Sequence, residues 1–175
     1  MKNRLRMHAR VVLGFSDDLE KARGSLKEAI EEANKTILLK GAPRGHEDEG
    51  AKITSWEVKG RFMDLEIDSG TLVRATSAAL RIKRHLGNML GREHRIGVRE
   101  LRAETIELTI PVEDQIGREA TSRIKAIPSV SEVEYHAGEI KVKISQMGEH
   151  DLKNNVPDRI LNRVRSVQVG SSHVV

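Results

Sequence analysis

The segment from Arg4 to Phe15 constrains the fold most. Leu5, Met7, Ala9, Val11, Leu13 and Phe15 alternate with Arg4, Arg6, His8 and Arg10. A period of two puts the apolar set on one face of a strand and the basic set on the other. Such a strand belongs to a sheet with one buried and one wet face, which is the habit of antiparallel sheets.

The period then changes. Ser16, Asp17 and Asp18 are helix-capping residues. Leu19, Ala22, Leu26, Ala29, Ile30, Ala33 and Ile37 follow helical spacing, which predicts a helix over 18–39. Gly24 weakens it, and Gly41-Ala42-Pro43 stops it. Residues 44–50 read as a polar loop. Two strands are predicted over 51–58 and 61–67, with a tight turn at Lys59-Gly60. A second helix fits 71–90, stopped by Gly91, and two further strands fit 96–101 and 104–110. A third helix over 115–126 leads to a hairpin, 130–135 and 139–144, around Ala137-Gly138. The last helix begins near Asn155, carries Pro157 in its first turn and runs to about Val167. Short turns make the paired strands antiparallel. The fold class is therefore α+β, a mainly antiparallel sheet capped by a helical layer. Residues 1–168 read as one domain, with a tail over 169–175 expected to fray. No sequence repeat accompanies the helix-then-hairpin rhythm.

The chain has 30 Lys and Arg against 26 Asp and Glu, a net charge of +4. That excess sits in one place. Residues 71–102 hold eight basic and two acidic side chains; 1–70 hold thirteen of each, and 103–175 nine basic against eleven acidic. Within the second helix, Leu72, Ala75, Ala79, Ile82, Leu86 and Met89 form a buried stripe. Arg74, Arg81, Arg84, His85, Asn88 and Arg92 project within an arc of roughly 100° on the other side. Lys83 flanks the stripe, and Arg95, Arg99 and Arg102 continue the charge into the next strand. The first helix mixes signs instead, with Glu20, Glu28, Glu31 and Glu32 among Lys21, Arg23, Lys27 and Lys35. A helix that forgoes such pairs accepts self-repulsion, which an anionic partner relieves. Arginine suits phosphate, because its planar fork makes two parallel hydrogen bonds. Only Trp56, Tyr135, Phe15 and Phe62 are aromatic, too few for base stacking, so recognition of a duplex by backbone and shape remains.

Other chemistry is thin. There is no cysteine, which excludes disulfides, thiolate metal sites and a cysteine nucleophile, and is compatible with a reducing cytoplasm. No apolar run is long enough to span a bilayer, and none follows the basic stretch Met1–Arg10 as a secretory signal requires. His46-Glu47-Asp48-Glu49 reads as a solvated loop, not a metal site, and the histidines lack metal-ligand spacing. No phosphate loop or nucleophile elbow is present. No catalytic or metal residue is assigned, and the chain alone is expected to be non-catalytic.

Several stretches resemble one family. Ser69-Gly70, Val73-Arg74, Leu80-Arg81-Ile82-Lys83-Arg84, Leu90-Gly91 and Ile96-Gly97-Val98-Arg99 are similar to the N-terminal domain of archaeal, methanogenic-type (type-2) seryl-tRNA synthetases. So are Glu31–Thr36 with Gly41-Ala42-Pro43, Ala51–Trp56 and Asn155–Leu161, in the same order. The resemblance implies a sheet of about six strands and a cytoplasmic protein that docks serine tRNA, chiefly by its long variable arm, for a seryl-tRNA synthetase catalytic domain. The family's basic tRNA contacts match Arg81, Arg84 and Arg99; Arg74, Lys83 and Arg92 join them from the charge pattern. ATP, magnesium and zinc are expected only in a class II catalytic core, which nothing in this sequence resembles. The alternative is a protein-interaction or homodimerisation domain that sets the basic helix against an acidic surface.

Overall fold

A computed structural model describes residues 4–14, 22–37, 51–69, 72–112 and 114–173. Phe15, the capping residues 16–18, the helix stop 41–43 and the loop 44–50 lie outside the described residues. The elements are β1 (Arg4–Leu13), α1 (Arg23–Glu32) with a π-helical turn (Ala33–Ile37), β2 (Lys52–Lys59), β3 (Phe62–Ser69), α2 (Leu72–Glu93), β4 (Val98–Pro111), α3 (Asp114–Lys125), β5 (Val130–His136), β6 (Glu139–Gly148), α4 (Glu149–Lys153) and α5 (Val156–His173). The six strands form one sheet in the order β2-β3-β1-β4-β6-β5, every pair antiparallel. This is the α+β arrangement the alternation predicts.

The sheet has an internal symmetry that the residues do not show. Each half runs strand, helix, two strands, helix: β1-α1-β2-β3-α2, then β4-α3-β5-β6 followed by α4 and α5. The halves meet along β1 and β4, so the order β2-β3-β1 is mirrored by β5-β6-β4.

The helices cover one face. Leu5, Met7, Ala9, Val11 and Leu13 are buried there, beside Met63, Leu65 and Ile67 of β3 and Ile140, Val142 and Ile144 of β6. Leu26 and Ile30 of α1, Ile82 and Leu86 of α2 and Leu161 and Val164 of α5 close the core from above.

The open face is a lattice of charge. Across it β3 presents Asp64, Glu66 and Asp68, β1 presents Arg6, His8 and Arg10, β4 presents Glu107, β6 presents Lys141 and Lys143, and β5 presents Glu132. Neighbours pair: Arg6 with Asp68 at 3.0 Å, Lys141 with Glu107 at 3.9 Å, Lys143 with Glu132 at 3.3 Å. Arg10 grips Asp64 with both Nε and Nη2, at 2.8 and 3.3 Å, and lies 5.0 Å from the Phe62 ring centre. Partial burial pushes the Asp64 carboxyl up. The hydrogen bond and charge of Arg10, joined by His8, outweigh that and hold it below its ordinary value. The edge strand β2 is shielded by Asn34, whose amide donates to the Ile53 carbonyl and accepts from the Ile53 N–H, both at 2.9 Å.

Five features depart from expectation. The two strands predicted over 96–101 and 104–110 are one, β4. It is bulged twice against β1: Leu13 pairs with Val98 and Val12 with Glu100, leaving Arg99 unopposed, and His8 pairs with Thr105 and Ala9 with Ala103, leaving Glu104 unopposed. Helix α2 does not stop at Gly91 but runs to Glu93. Its end is made by Arg95 in the left-handed region (φ 56°), and the His94 and Ile96 N–H groups both donate to the Leu90 carbonyl at 3.0 Å. A short helix, α4, precedes α5, and α5 continues beyond Val167 to His173. The β2–β3 turn falls on Gly60-Arg61, one residue later than expected, with Gly60 at φ +58°.

Candidate nucleic-acid interface

Helix α2 owes its length to residues that favour helix, with no β-branched residue between Thr76 and Ile82. Its apolar stripe faces the sheet: Ala75, Ala79, Ile82 and Leu86 are each fully buried. The opposite side is then forced outward. Arg81, Arg84, Asn88 and Arg92 are all exposed and recur at spacings of three and four, so they run along one side of the helix over about 16 Å. Arg92 Nε donates to the Asn88 carbonyl at 3.3 Å, which lays that side chain back along the helix. Arg74 stands on the same helix, and its side chain lies outside the described residues.

Arg99, on the strand that follows α2, is set by a different device. Val98 packs against Gly87: a Cβ there would sit 4.0 Å from Val98 Cβ and Cγ2. The start of β4 is thereby held to the second half of α2. The bulge then leaves Arg99 unpaired with β1 and exposed. Arg95, in the connection between α2 and β4, is exposed as well. Among the described residues no carboxylate pairs with Arg84, Arg92, Arg95 or Arg99, whereas Arg6, Arg10 and Arg102 are all paired. Lys83 differs from the other sequence-predicted residues. It is half-buried and ion-paired to Glu149 of α4, which makes it a strut between helices. His85, on the other flank, lies 3.9 Å from Glu32 of α1.

Between α2 and the α4–α5 junction lies a notch of about 330 Å³. Thr76, Ser77, Leu80, Arg81 and Arg84 form one wall. Leu152, Lys153, Asn155 and Asp158 form the other. The junction is fixed by Asn155 in the left-handed region (φ 58°), by the Arg159 guanidinium donating to the Asn154 carbonyl at 2.8 Å, and by the Asn154 amide donating to the His150 carbonyl at 2.8 Å. The charge pattern of the sequence misses this wall, because Lys153 sits among acidic residues and its proximity to Arg84 is a matter of tertiary packing alone. Among the described residues no three His, Asp or Glu side chains converge as metal ligands, and no helix is long and apolar enough to cross a membrane.

A family model described as a tRNA-binding domain matches residues 5–166. The type-2 serine–tRNA ligase of Methanococcoides burtonii is 38% identical over 146 residues, covering 83% of this chain and 27% of that protein. The type-2 serine–tRNA ligase of Methanothrix thermoacetophila is 35% identical over 166 residues, covering 90% of this chain and 31% of that protein. The chain thus spans less than a third of the length of these relatives. Among solved structures, the crystal structure of M. kandleri SerRS in complex with A. aeolicus tRNASec contains a chain that superposes with a TM-score of 0.84 and 26% identity, over 98% of this chain and 32% of that one.

Proposed function

The chain belongs to the family of tRNA-binding domains shared with type-2 serine–tRNA ligases, and from that premise we propose that it docks serine tRNA by the long variable arm. The docking face is the outer side of α2 with the bulged start of β4. Arg81, Arg84, Arg92 and Arg99 hold phosphates there, with Arg74 on the same helix. Lys83 acts through Glu149, holding α2 against α4. A seryl-tRNA synthetase catalytic region outside these residues receives the acceptor end and supplies the ATP, magnesium and zinc chemistry, in the cytoplasm.

One observation carries this reading: Arg84, Arg92 and Arg99 are exposed and meet no described carboxylate, while Arg6, Arg10 and Arg102 of the sheet are each ion-paired. Unpaired guanidinium groups on one side of a helix are what a polyphosphate needs and what an isolated domain gains nothing from. Filter binding of serine tRNA across a salt series tests it. With about four to six phosphate contacts, log K should fall with log salt at a slope of roughly −3 to −5. A flat response would remove the docking reading, and a salt-indifferent dimer in native mass spectrometry would put protein association in its place.

A further inference from the structure

The notch between α2 and the α4–α5 junction shares Arg81 and Arg84 with the phosphate-tracking face, but its lining is too mixed for phosphate alone. Arg81, Arg84 and Lys153 supply positive charge, but Asp158 stands among them and Leu80 and Leu152 are apolar. A carboxylate is a poor neighbour for a phosphate and a good acceptor for a sugar hydroxyl, the use that dinucleotide sites make of an acidic residue on the ribose. The notch is also small, at the lower end of the ~300–1,000 Å³ range of ligand sites. That is room for one nucleotide unit and not for a helix.

Thr76 supplies the second, independent observation. It lies in the wall of the notch, 6% exposed, and its buried Oγ1 has no hydrogen-bond partner. Leaving a buried hydroxyl unmade is costly. Threonine in a helix divides between two side-chain rotamers, and capture of a ligand hydroxyl in the notch requires the one that brings Oγ1 to it.

We propose that this notch captures a single ribose–phosphate unit of the docked RNA, with Arg84 and Arg81 on the phosphate and Thr76 and Asp158 on the 2′-hydroxyl. The proposal rests on the docking reading above and adds to it a means of telling RNA from DNA, since the 2′-hydroxyl is what distinguishes them at a given site.

The test is a cycle between one protein hydroxyl and one nucleotide hydroxyl. The full chain is titrated, at one salt concentration, with a stem-loop RNA copying the variable arm of a serine tRNA and with versions carrying one 2′-deoxynucleotide each, stepped along the strand. One position should weaken wild-type binding about five- to tenfold, the worth of a net hydrogen bond. The same RNA should lose less than about twofold against Thr76→Val, which deletes the hydroxyl and keeps the shape. Ser77→Phe, which fills the notch from its rim, should abolish the position-specific loss as well and decides the matter if Thr76→Val does not fold. Salt-dependent binding with a featureless deoxy scan, or a loss that persists in both variants, overturns the notch alone. Failure of the wild type to bind any of these RNAs overturns the docking reading and the notch with it.

Discussion

On the docking reading, replacing Arg81 and Arg84 together with alanine removes two phosphate contacts from the middle of the α2 face. Each contact to a duplex contributes about 0.9 to the log–log salt slope, so the pair contributes about 1.8. Referred to 1 M salt, where counterion release no longer contributes, a slope change of about 1.8 amounts to about 30-fold in affinity at 0.15 M. The loss should therefore shrink as salt rises, and the two binding lines should converge near 1 M. Stability should hardly move. Both side chains are exposed on the helix, alanine is the better helix former, and the surface interaction of Arg81 is weak against solvent, so the change stays within about 0.5 kcal/mol. For a chain of this size that is about 1–2 °C in Tm. The assay is filter binding of serine tRNA at four or more salt concentrations, beside a melting curve of the free protein. Parallel salt lines would refute the reasoning, because they would mean that the arginines contribute something other than phosphate contact. A drop in Tm of several degrees would refute it differently, by showing that the outer side of α2 holds the fold together.

Three further outcomes follow from the fold. Asp64 has a folded pKa below its unfolded value, so its contribution is complete above the unfolded pKa and is lost as pH falls through the folded one; Asp64→Asn should lower Tm at pH 7 and flatten the fall in Tm between about pH 5 and pH 2, and an unchanged acid slope would count against the Arg10 clamp. Asn34→Ala strips both hydrogen bonds from Ile53 on the edge strand and should cost about 1–3 kcal/mol, read as a shift in urea midpoint with faster amide exchange along β2. Arg95→Gly relieves a left-handed backbone and should raise stability by about 1 kcal/mol, while removing a cation beside the docking face and so weakening tRNA binding; a variant that gains stability and keeps full affinity would place Arg95 outside the interface.

Much of the architecture was legible because its periods are clean. In β1 every second residue from Leu5 to Leu13 is buried, and the hairpin about Ala137-Gly138 has Gly138 at φ +82°, as a tight turn requires. The failures have local causes. β4 read as two strands because its buried residues switch from odd positions (Leu101, Ala103) to even ones (Ile106, Leu108, Ile110), and the bulge at Glu104 is where the period slips. The end of α2 was misplaced because glycine is the usual left-handed residue past a helix and arginine is not; Gly91 looked like the stop and Arg95 supplies it. The arginine side of α2 was visible from helical angles alone. That Lys83 is tied to Glu149, that Arg99 is turned out by a bulge, and that Thr76 faces the α4–α5 junction all depend on contacts across long stretches of chain, which no local pattern encodes. The two-fold arrangement about β1 and β4 was hidden for a related reason: the halves share an order of elements and not a series of residues.

The charge lattice on the open side of the sheet governs what a polyanion would sense from a distance. Strands stand about 4.8 Å apart, so signs that alternate from one to the next repeat every ~10 Å, and the potential of such a grating dies away within about 1.5 Å of the surface. A row of one sign fades only over the Debye length, about 8 Å at physiological ionic strength. Arg6 and Arg10 of β1, each paired in place, are consequently silent in the far field, and on the docking reading an approaching tRNA is drawn to the helical side. By cancelling its own cations in place, the sheet removes the decoy that would otherwise compete for the same polyanion.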